Sequence, residues 1–325
     1  MPLKTPICDQ LKIDHPILLA GMGGVSYAKL CAAVSEAGGY GTLGMAMLGP
    51  DDIRDQMRRV RALTDKPFGV DLLTALPQSL TQSVDVIIEE GASSFIAGLG
   101  VPTAIIDRLH EAGLLVMSLC GKVDHAKKAE DAGVDIVIAQ GTEAGGHTGK
   151  VAGMALIPQI VDAVSIPVLG AGGIVDGRGL AAALALGASG VWMGTRFIAS
   201  SEAHAGAVYK ERLITASEAD TIVTRCYSGK PMRVVQNPYV ADWESRPQDI
   251  QPFPMQAMMS QQAGVLGGIA GILDPLDSTR DCLPAGQGTG AIHDIVPAAE
   301  IIRRTMAEAE ARITAMHGLL QPLKQ

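Results

Sequence analysis

The chain has 325 residues with a formal net charge of −8, and 47% of its residues are hydrophobic. This acidic balance argues against nucleic acid or an anionic membrane as the main partner, because both are polyanions. The length is ample for one large core or two smaller ones. The longest apolar run, which begins at Ala263, is too short to span a bilayer. The five cysteines form no CxxC pair and the first residues lack an apolar signal segment, so we expect a cytoplasmic protein with reduced thiols.

Eight short apolar runs along the chain predict eight strands. Five of them follow a glycine that ends a helical pattern, because glycine accepts the left-handed conformation just past a helix end. The other three open with a proline, which is tolerated as the first residue of a strand. The residues that introduce the runs are, in chain order, Pro16, Gly38, Pro67, Gly91, Gly113, Gly133, Pro167 and Gly187. The hydrophobicity of the runs is continuous rather than alternating, which indicates strands buried on both faces.

Helical patterns separate these runs, as in DDIRDQMRRVRALTD at 51–65, where charged residues follow one side. Eight alternations of strand and helix predict an α/β protein with a (β/α)8 TIM barrel. A doubly wound open sheet is the alternative. No GxGxxG follows the first strand, which weakens that alternative as a dinucleotide site.

The regular alternation stops after about Ala203. Residues 221–284 are too long and too apolar for a plain loop, so we expect an inserted, mainly helical substrate subdomain over the barrel mouth. The barrel would then comprise 1–220 and 285–325. The last part of the chain, from Asp294, has the pattern of an amphipathic helix with a proline near its start.

Chemistry in such a barrel is expected where strands end, because the active site forms from the loops that follow them. The third strand places Asp71 at its end. Loops 170–173 and 193–196 follow the seventh and eighth strands and predict a phosphate site, since glycine lets backbone N–H groups approach an anion and Thr195 adds a hydroxyl. For any single glycine, a tight turn is an alternative at roughly even odds. Further glycine-rich strand ends lie at 20–26 and 140–150.

His147 lies in the segment QGTEAGGHTGK, beyond the sixth strand, with glycines that clear space around the imidazole. A lone histidine is usually a surface or satisfied polar residue, but this position favours a catalytic role. Glu143 is expected to orient the loop or face solvent, and Cys120 to be structural. No His, Cys or carboxylate cluster has metal-ligand spacing, so no metal site is predicted. The histidines placed away from the mouth are His15, His110, His125 and His317, and those left unplaced are His204 and His293.

Four segments together resemble the nitronate monooxygenase family, formerly called 2-nitropropane dioxygenases and related to the flavin-dependent enoyl-acyl carrier protein reductases. They are HPILLAGMGGVS, KPFGVDL, QGTEAGGHTG and GAGGIVDGRGLAAALALGASGVWMGTRFIAS. The similarity covers most of 1–202 and returns at 285–302. The resemblance implies an FMN-binding barrel with an inserted helical substrate domain, in which His147 is the catalytic histidine.

By position, the resemblance also implies the residues that contact FMN. The family usually has Asn at the position of Asp71, where a carboxylate would need a raised pKa to donate a hydrogen bond. Some members carry a polar or cationic residue at the position of Leu119. The implied FMN contacts are Gly21, Met22, Gly23, Asp71, Gln140, Gly145, Gly172, Gly173, Trp192, Met193, Gly194 and Thr195.

These observations give three hypotheses of function, each with a small-molecule substrate. A homodimer is the assembly to test. The first is oxidation of a nitronate with O2, in which His147 takes the α-proton of a nitroalkane or, as imidazolium, holds the nitronate oxygens. The second is reduction of an enoyl thioester or quinone with NAD(P)H. The third is a barrel for another phosphorylated ligand without flavin, for which Lys122 and Lys150 are the lysines closest to strand ends.

Overall fold

Eight parallel strands form a barrel in the computed structural model, which describes residues 3–46, 48–74 and 80–320. The strands are β1 (Ile17–Leu19), β2 (Gly41–Gly44), β3 (Phe68–Leu73), β4 (Ser94–Gly98), β5 (Leu115–Cys120), β6 (Ile136–Gln140), β8 (Val168–Ala171) and β9 (Gly190–Met193), while β7 (Gly146–His147) lies outside the barrel. Successive neighbours in the barrel are β1, β9, β8, β6, β5, β4, β3 and β2, and a bridge between Leu18 and Tyr40 closes it. The predicted (β/α)8 barrel is confirmed, and the alternative of an open sheet is wrong.

Helices connect the strands and cover the outside of the barrel. All five glycines expected just past helix ends have positive φ, between 71° and 94°, as the sequence predicts. The helices of the outer layer are α2 (Ala28–Glu36), α3 (Pro50–Arg61), α4 (Leu80–Glu89), α5 (Ile106–Glu111), α6 (Val123–Asp131), α7 (Gly153–Val161), α8 (Gly177–Ala185) and α9 (Thr195–Ile198). Helix α1 (Pro6–Leu11) precedes the first strand, and its buried residues pack with the core inside the barrel. No helix in the described ranges is long and apolar enough to cross a membrane.

Successive residues along the barrel strands point alternately into two separate hydrophobic cores. One set fills the inside of the barrel, including Leu18, Tyr40, Ile96 and Met117. The alternate set packs outward against the helices. Because both faces of each strand are buried, the apolar runs are continuous, as the sequence shows. All five cysteines are buried and unpaired.

The region predicted as an insertion has a small core of its own, built around Tyr227, Met232, Val234 and Val240. It contains helices, as expected, but it also contains a β-hairpin that the sequence analysis did not predict. The third strand of the hairpin's sheet is β7, so the insertion is tied to the loop after β6. Its elements are β10 (Thr221–Thr224), β11 (Met232–Val235), α11 (Pro238–Glu244), a 3-10 turn (Pro247–Asp249), α12 (Met255–Gln262) and α13 (Gly267–Ala270), preceded by α10 (Ala207–Thr215).

The amphipathic C-terminal segment is the helix α14 (Ala298–His317), which packs closely on α8. The contact is close at Gly177, whose N–H donates to Glu308 Oε2 at 3.0 Å. A Cβ atom added to Gly177 would overlap the backbone of Thr305 and Ala309. The backbone of α14 therefore leaves room only for glycine at this point.

Substitution Gly177→Ala is expected to lower the free energy of unfolding by about 1–3 kcal/mol, because the methyl group forces α8 and α14 apart. Urea unfolding followed by circular dichroism measures the change. Gly318→Ala is the control, since a Cβ atom there would have no contact shorter than 3.4 Å. Equal stability of both variants would contradict the packing described for α8 and α14.

Candidate active site

A cavity of about 870 Å³ lies at the carboxyl ends of the barrel strands. The strand ends and their loops form its floor, and the insertion covers it from the other side. Apolar side chains of the insertion supply much of that cover: Phe253, Met258, Leu266 and Ile269. A largely apolar, concave site with a few polar groups is the usual form of a small-molecule site.

The loop that carries His147 is held as a short strand. His147 pairs with Met232 of β11, and Gly146 pairs with Arg233. Gln140 Nε2 donates a hydrogen bond of 2.7 Å to the carbonyl oxygen of His147. Arg233 Nε donates to the carbonyl oxygen of Thr142 at 3.0 Å. These bonds fix a glycine-rich segment that would otherwise be free to move.

The imidazole of His147 is oriented by a serine of the insertion. His147 Nε2 lies 3.0 Å from Ser228 Oγ. The Ser228 hydroxyl is in turn bonded to the backbone N–H and carbonyl of Lys230, both at 3.2 Å. Burial, and to a smaller extent the nearby positive charge of Lys230, together lower the pKa of His147 to about 4. The imidazole is therefore neutral at pH 7, and holding an anion as imidazolium would need a much lower pH.

The histidine resonances are expected to show His147 titrating with a midpoint of about 4, well below the ordinary 6.5. As the pH falls from 6.5 to about 4, His147 is protonated in the unfolded chain but not in the folded chain. Its protonation therefore destabilises the fold progressively over this pH range. NMR titration of the imidazole protons measures the midpoint. Lys230→Met should raise it in part, whereas Lys150→Met, at an exposed position outside the cavity lining, should not. A midpoint near 6.5 would contradict the burial of this imidazole.

Asp71 lies at the end of β3 on the cavity floor and is only 7% exposed. A Cβ atom on Gly21 would overlap its side chain, and one on Gly98 would lie 3.4 Å from its Oδ1, so two glycines make room for the carboxyl group. In the described part of the chain it forms no ion pair. Burial raises its pKa well above the ordinary value, which favours the protonated, uncharged form of the carboxyl group.

The loops after β8 and β9 form a glycine-lined recess. Gly172 and Gly173 have φ angles of 96° and 72°, which other residues adopt only with strain. A Cβ atom on Gly172 would lie 3.0 Å from the carbonyl oxygen of Gly141, so a larger residue would be crowded by the neighbouring loop. Thr195 Oγ1 accepts a hydrogen bond of 2.9 Å from the N–H of Gly286, which leaves its own hydrogen free to bind an anion. The recess therefore fits a phosphate group.

The carboxylate nearest to this recess is turned away from it. Glu143 accepts hydrogen bonds of 2.9 and 3.0 Å from the N–H of Gly153, at the start of α7. It thus orients the loop, in agreement with the sequence interpretation. Cys120 lines the cavity, and burial raises the pKa of its thiol to about 12, so it remains unreactive at neutral pH.

The structure brings most of the sequence-predicted residues together around one cavity. Met193 is the exception, because side chains alternate along β9: Trp192 points into the barrel and Met193 points out to the helices. Of the unplaced histidines, His204 binds the carbonyl of Gly271 and does not line the cavity. Those that do line it are Gly21, Met22, Gly23, Asp71, Gln140, Gly145, His147, Gly172, Gly173, Trp192, Gly194 and Thr195.

The cavity is also lined by groups that the sequence analysis placed elsewhere or passed over, among them His125, Ser228 and Lys230. His125 was expected away from the mouth because it lies in a helical pattern, and that expectation is wrong. Helix α6 begins three residues after β5 ends, so its first turns reach the cavity wall. Ser228 and Lys230 come from the hairpin of the insertion, where no sequence motif marks them. Within the described ranges, no group of three His, Cys, Asp or Glu side chains could hold a metal ion.

A family model described as nitronate monooxygenase matches residues 4–308. The chain belongs to the nitronate monooxygenase family. It is 35% identical over 298 residues to a probable nitronate monooxygenase of Staphylococcus aureus (strain JH9), with 78% of this chain and 84% of that protein covered. A solved structure of FabK from Thermotoga maritima is 39% identical, with a TM-score of 0.90 and coverage of 98% of this chain and 100% of the other.

A third relative of the chain comes from Mycobacterium tuberculosis (strain ATCC 25618 / H37Rv). It is the (3aS,4S,5R,7aS)-5-hydroxy-7a-methyl-1-oxo-octahydro-1H-indene-4-carboxyl-CoA dehydrogenase, which is 42% identical over 248 residues, covering 75% of this chain and 70% of that protein. Family membership makes the chain a flavin-type oxidoreductase. The third sequence hypothesis, a barrel without flavin chemistry, is therefore not retained.

Proposed function

We propose that the protein is an FMN-dependent nitronate monooxygenase, which oxidises alkyl nitronates with O2 to a carbonyl compound and nitrite. The observation that carries the proposal is a neutral, oriented imidazole in the same cavity as a recess that fits phosphate. Family membership supports the same chemistry. The specificity of the reaction would depend on side chains of the insertion that cover the cavity.

The glycine-lined recess fits FMN better than an uncharged cofactor. Gly172, Gly173, Gly194 and Thr195 would hold the phosphate group, and the loop from Gly21 to Gly23 would border the flavin ring. When bound, FMN supplies the redox chemistry, accepting electrons from the substrate and passing them to O2. The protein positions the cofactor and substrate and handles the proton.

His147 would act as the general base for neutral nitroalkanes. Its Nε2 is engaged by Ser228, and within the described ranges its Nδ1 has no hydrogen-bond partner. Nδ1 is thus free to accept the α-proton, so that the C–H bond breaks and the nitronate retains the electron pair. Ser228 acts as a positioning residue, because its hydroxyl holds the ring while being held itself by the backbone of Lys230.

Lys230 would supply the positive charge that a neutral histidine cannot. Its Nζ lies 4.5 Å from the centroid of the Phe253 ring, on the cavity wall, and no carboxylate pairs with it in the described part of the chain. An ammonium group without a partner attracts a nitronate. Once His147 has taken a proton, repulsion from Lys230 favours its return to the neutral form.

Asp71 would take the place of the family's Asn as a hydrogen-bond donor toward the flavin. A protonated carboxyl group has one O–H donor, as an amide has N–H donors, and it adds no negative charge beside the ring. The raised pKa that burial produces is the condition that this substitution requires.

His147→Gln is expected to lower the rate on a neutral nitroalkane by about 10²–10⁴-fold, because the general base is lost. The same variant should retain most of its activity on a preformed nitronate, which has no α-proton to remove. Oxygen uptake, without any pyridine nucleotide, measures both rates. A variant that keeps the full rate on the neutral nitroalkane would remove the base role, and a wild type that consumes no O2 with any nitronate would refute the proposed activity.

Lys230→Met is expected to raise the KM for a nitronate by about 10- to 100-fold, since a charge-assisted contact is lost. Steady-state oxygen uptake gives KM and kcat separately. Lys150→Met serves as the matched control because Lys150 is exposed and lies outside the cavity lining. An unchanged KM in the Lys230 variant would show that this charge does not bind the substrate.

The second candidate is an FMN-dependent NAD(P)H oxidoreductase acting on an enoyl thioester or quinone. The similarity to the mycobacterial CoA-thioester dehydrogenase favours it. His147 and FMN would serve in both reactions, with His147 as proton donor in this one. Rapid anaerobic bleaching of the flavin by NADH or NADPH, with no response to nitronates, would select this candidate.

A further inference from the structure

One face at the start of helix α6 presents two lysines and a histidine to the cavity. Lys122, His125 and Lys128 are spaced by three residues, so they lie on one side of the helix. None forms an ion pair with a carboxylate in the described part of the chain. The remaining charged side chains of α6, Asp124, Lys127, Glu130 and Asp131, do not line the cavity.

This arrangement makes the cavity wall positive in a protein that is negative overall. Asp71 is the only acidic residue that lines the cavity in the described ranges, and burial raises its pKa and disfavours its charged form. The net charge of the chain is −8, so a polyanionic ligand is repelled by most of the surface. Unpaired cations grouped at the mouth therefore favour binding of such a ligand at this place.

The α6 face lies beside the catalytic loop and apart from the glycine-lined recess. A Cβ atom on Gly149, two residues after His147, would lie 3.2 Å from the carbonyl oxygen of Gly121, which directly precedes Lys122. The recess follows β8 and β9, whereas α6 follows β5, and β6 lies between β5 and β8 in the barrel. The α6 cations are thus placed for a second ligand that reaches His147, not for the FMN phosphate.

We propose that Lys122, His125 and Lys128 bind the phosphate groups of an extended co-substrate that carries a nucleotide diphosphate. Two lysines beside a histidine suit several negative charges better than the single charge of a nitronate, for which Lys230 is available. The apolar wall of the insertion, with Phe253 and Ile269, receives the uncharged part of the ligand. Two kinds of co-substrate carry a nucleotide diphosphate: a nicotinamide nucleotide and a coenzyme A thioester. The role of this ligand in turnover rests on the proposed flavin function, but its binding does not.

The test compares the double variant Lys122→Ala/Lys128→Ala with Lys127→Ala, which removes an exposed lysine of the same helix outside the cavity. Isothermal titration of the FMN-loaded proteins uses NADPH and coenzyme A as separate probes. The double variant is expected to bind one of them about 10- to 100-fold more weakly, with a smaller salt dependence, while Lys127→Ala binds as the wild type does. The probe that is affected identifies the source of the diphosphate.

Two results would overturn the inference: binding of neither probe by the wild type, or equal affinities in the double variant and the wild type. The KM for a nitronate is the internal control and should stay unchanged in the double variant. Lysine-dependent binding of a probe by a protein that does not oxidise nitronates would refute only the proposed function. Nitronate oxidation without binding of either probe would refute only this site.

Discussion

The pairing of β7 with β11 is the constraint on which the active site depends. QGTEAGGHTGK is a glycine-rich segment that has no reason of its own to hold one conformation. The ladder to Met232 and Arg233, together with the bond from Gln140, gives the His147 backbone a fixed position at the barrel mouth. The insertion is therefore more than a cover: it supplies the strand that places the histidine and the hydroxyl that orients it.

Burial sets the charge of each group in the cavity, and the groups complement one another. Desolvation lowers the pKa of His147, which is neutral at pH 7, and raises the pKa of Asp71, which disfavours its charged form. The positive charge comes instead from the walls, from Lys230 of the hairpin and from the exposed face of α6. A neutral base beside an unpaired cation suits removal of a proton to form an anion, because the base can accept the proton and the cation stabilises the product.

The barrel and its phosphate-fitting recess could be predicted from the sequence because both depend on local chemistry. A glycine such as Gly133 marks a helix end by its backbone preference alone, and glycine-rich loops mark strand ends. Met193 was assigned to the site through the family resemblance, but alternation along β9 turns its side chain outward. Ser228 could not be found, since it approaches His147 only through a hairpin pairing 81 residues away in the chain. His125 was missed because the start of a helix can reach the same mouth as a strand end.

A crystal structure of the FMN-loaded protein tests the central claim most directly. We expect the phosphate at Gly172, Gly173 and Thr195, and the His147 imidazole facing the flavin ring across a space open to substrate, with its bond to Ser228 intact. A phosphate bound elsewhere, or an imidazole separated from the ring by other side chains, would contradict the account.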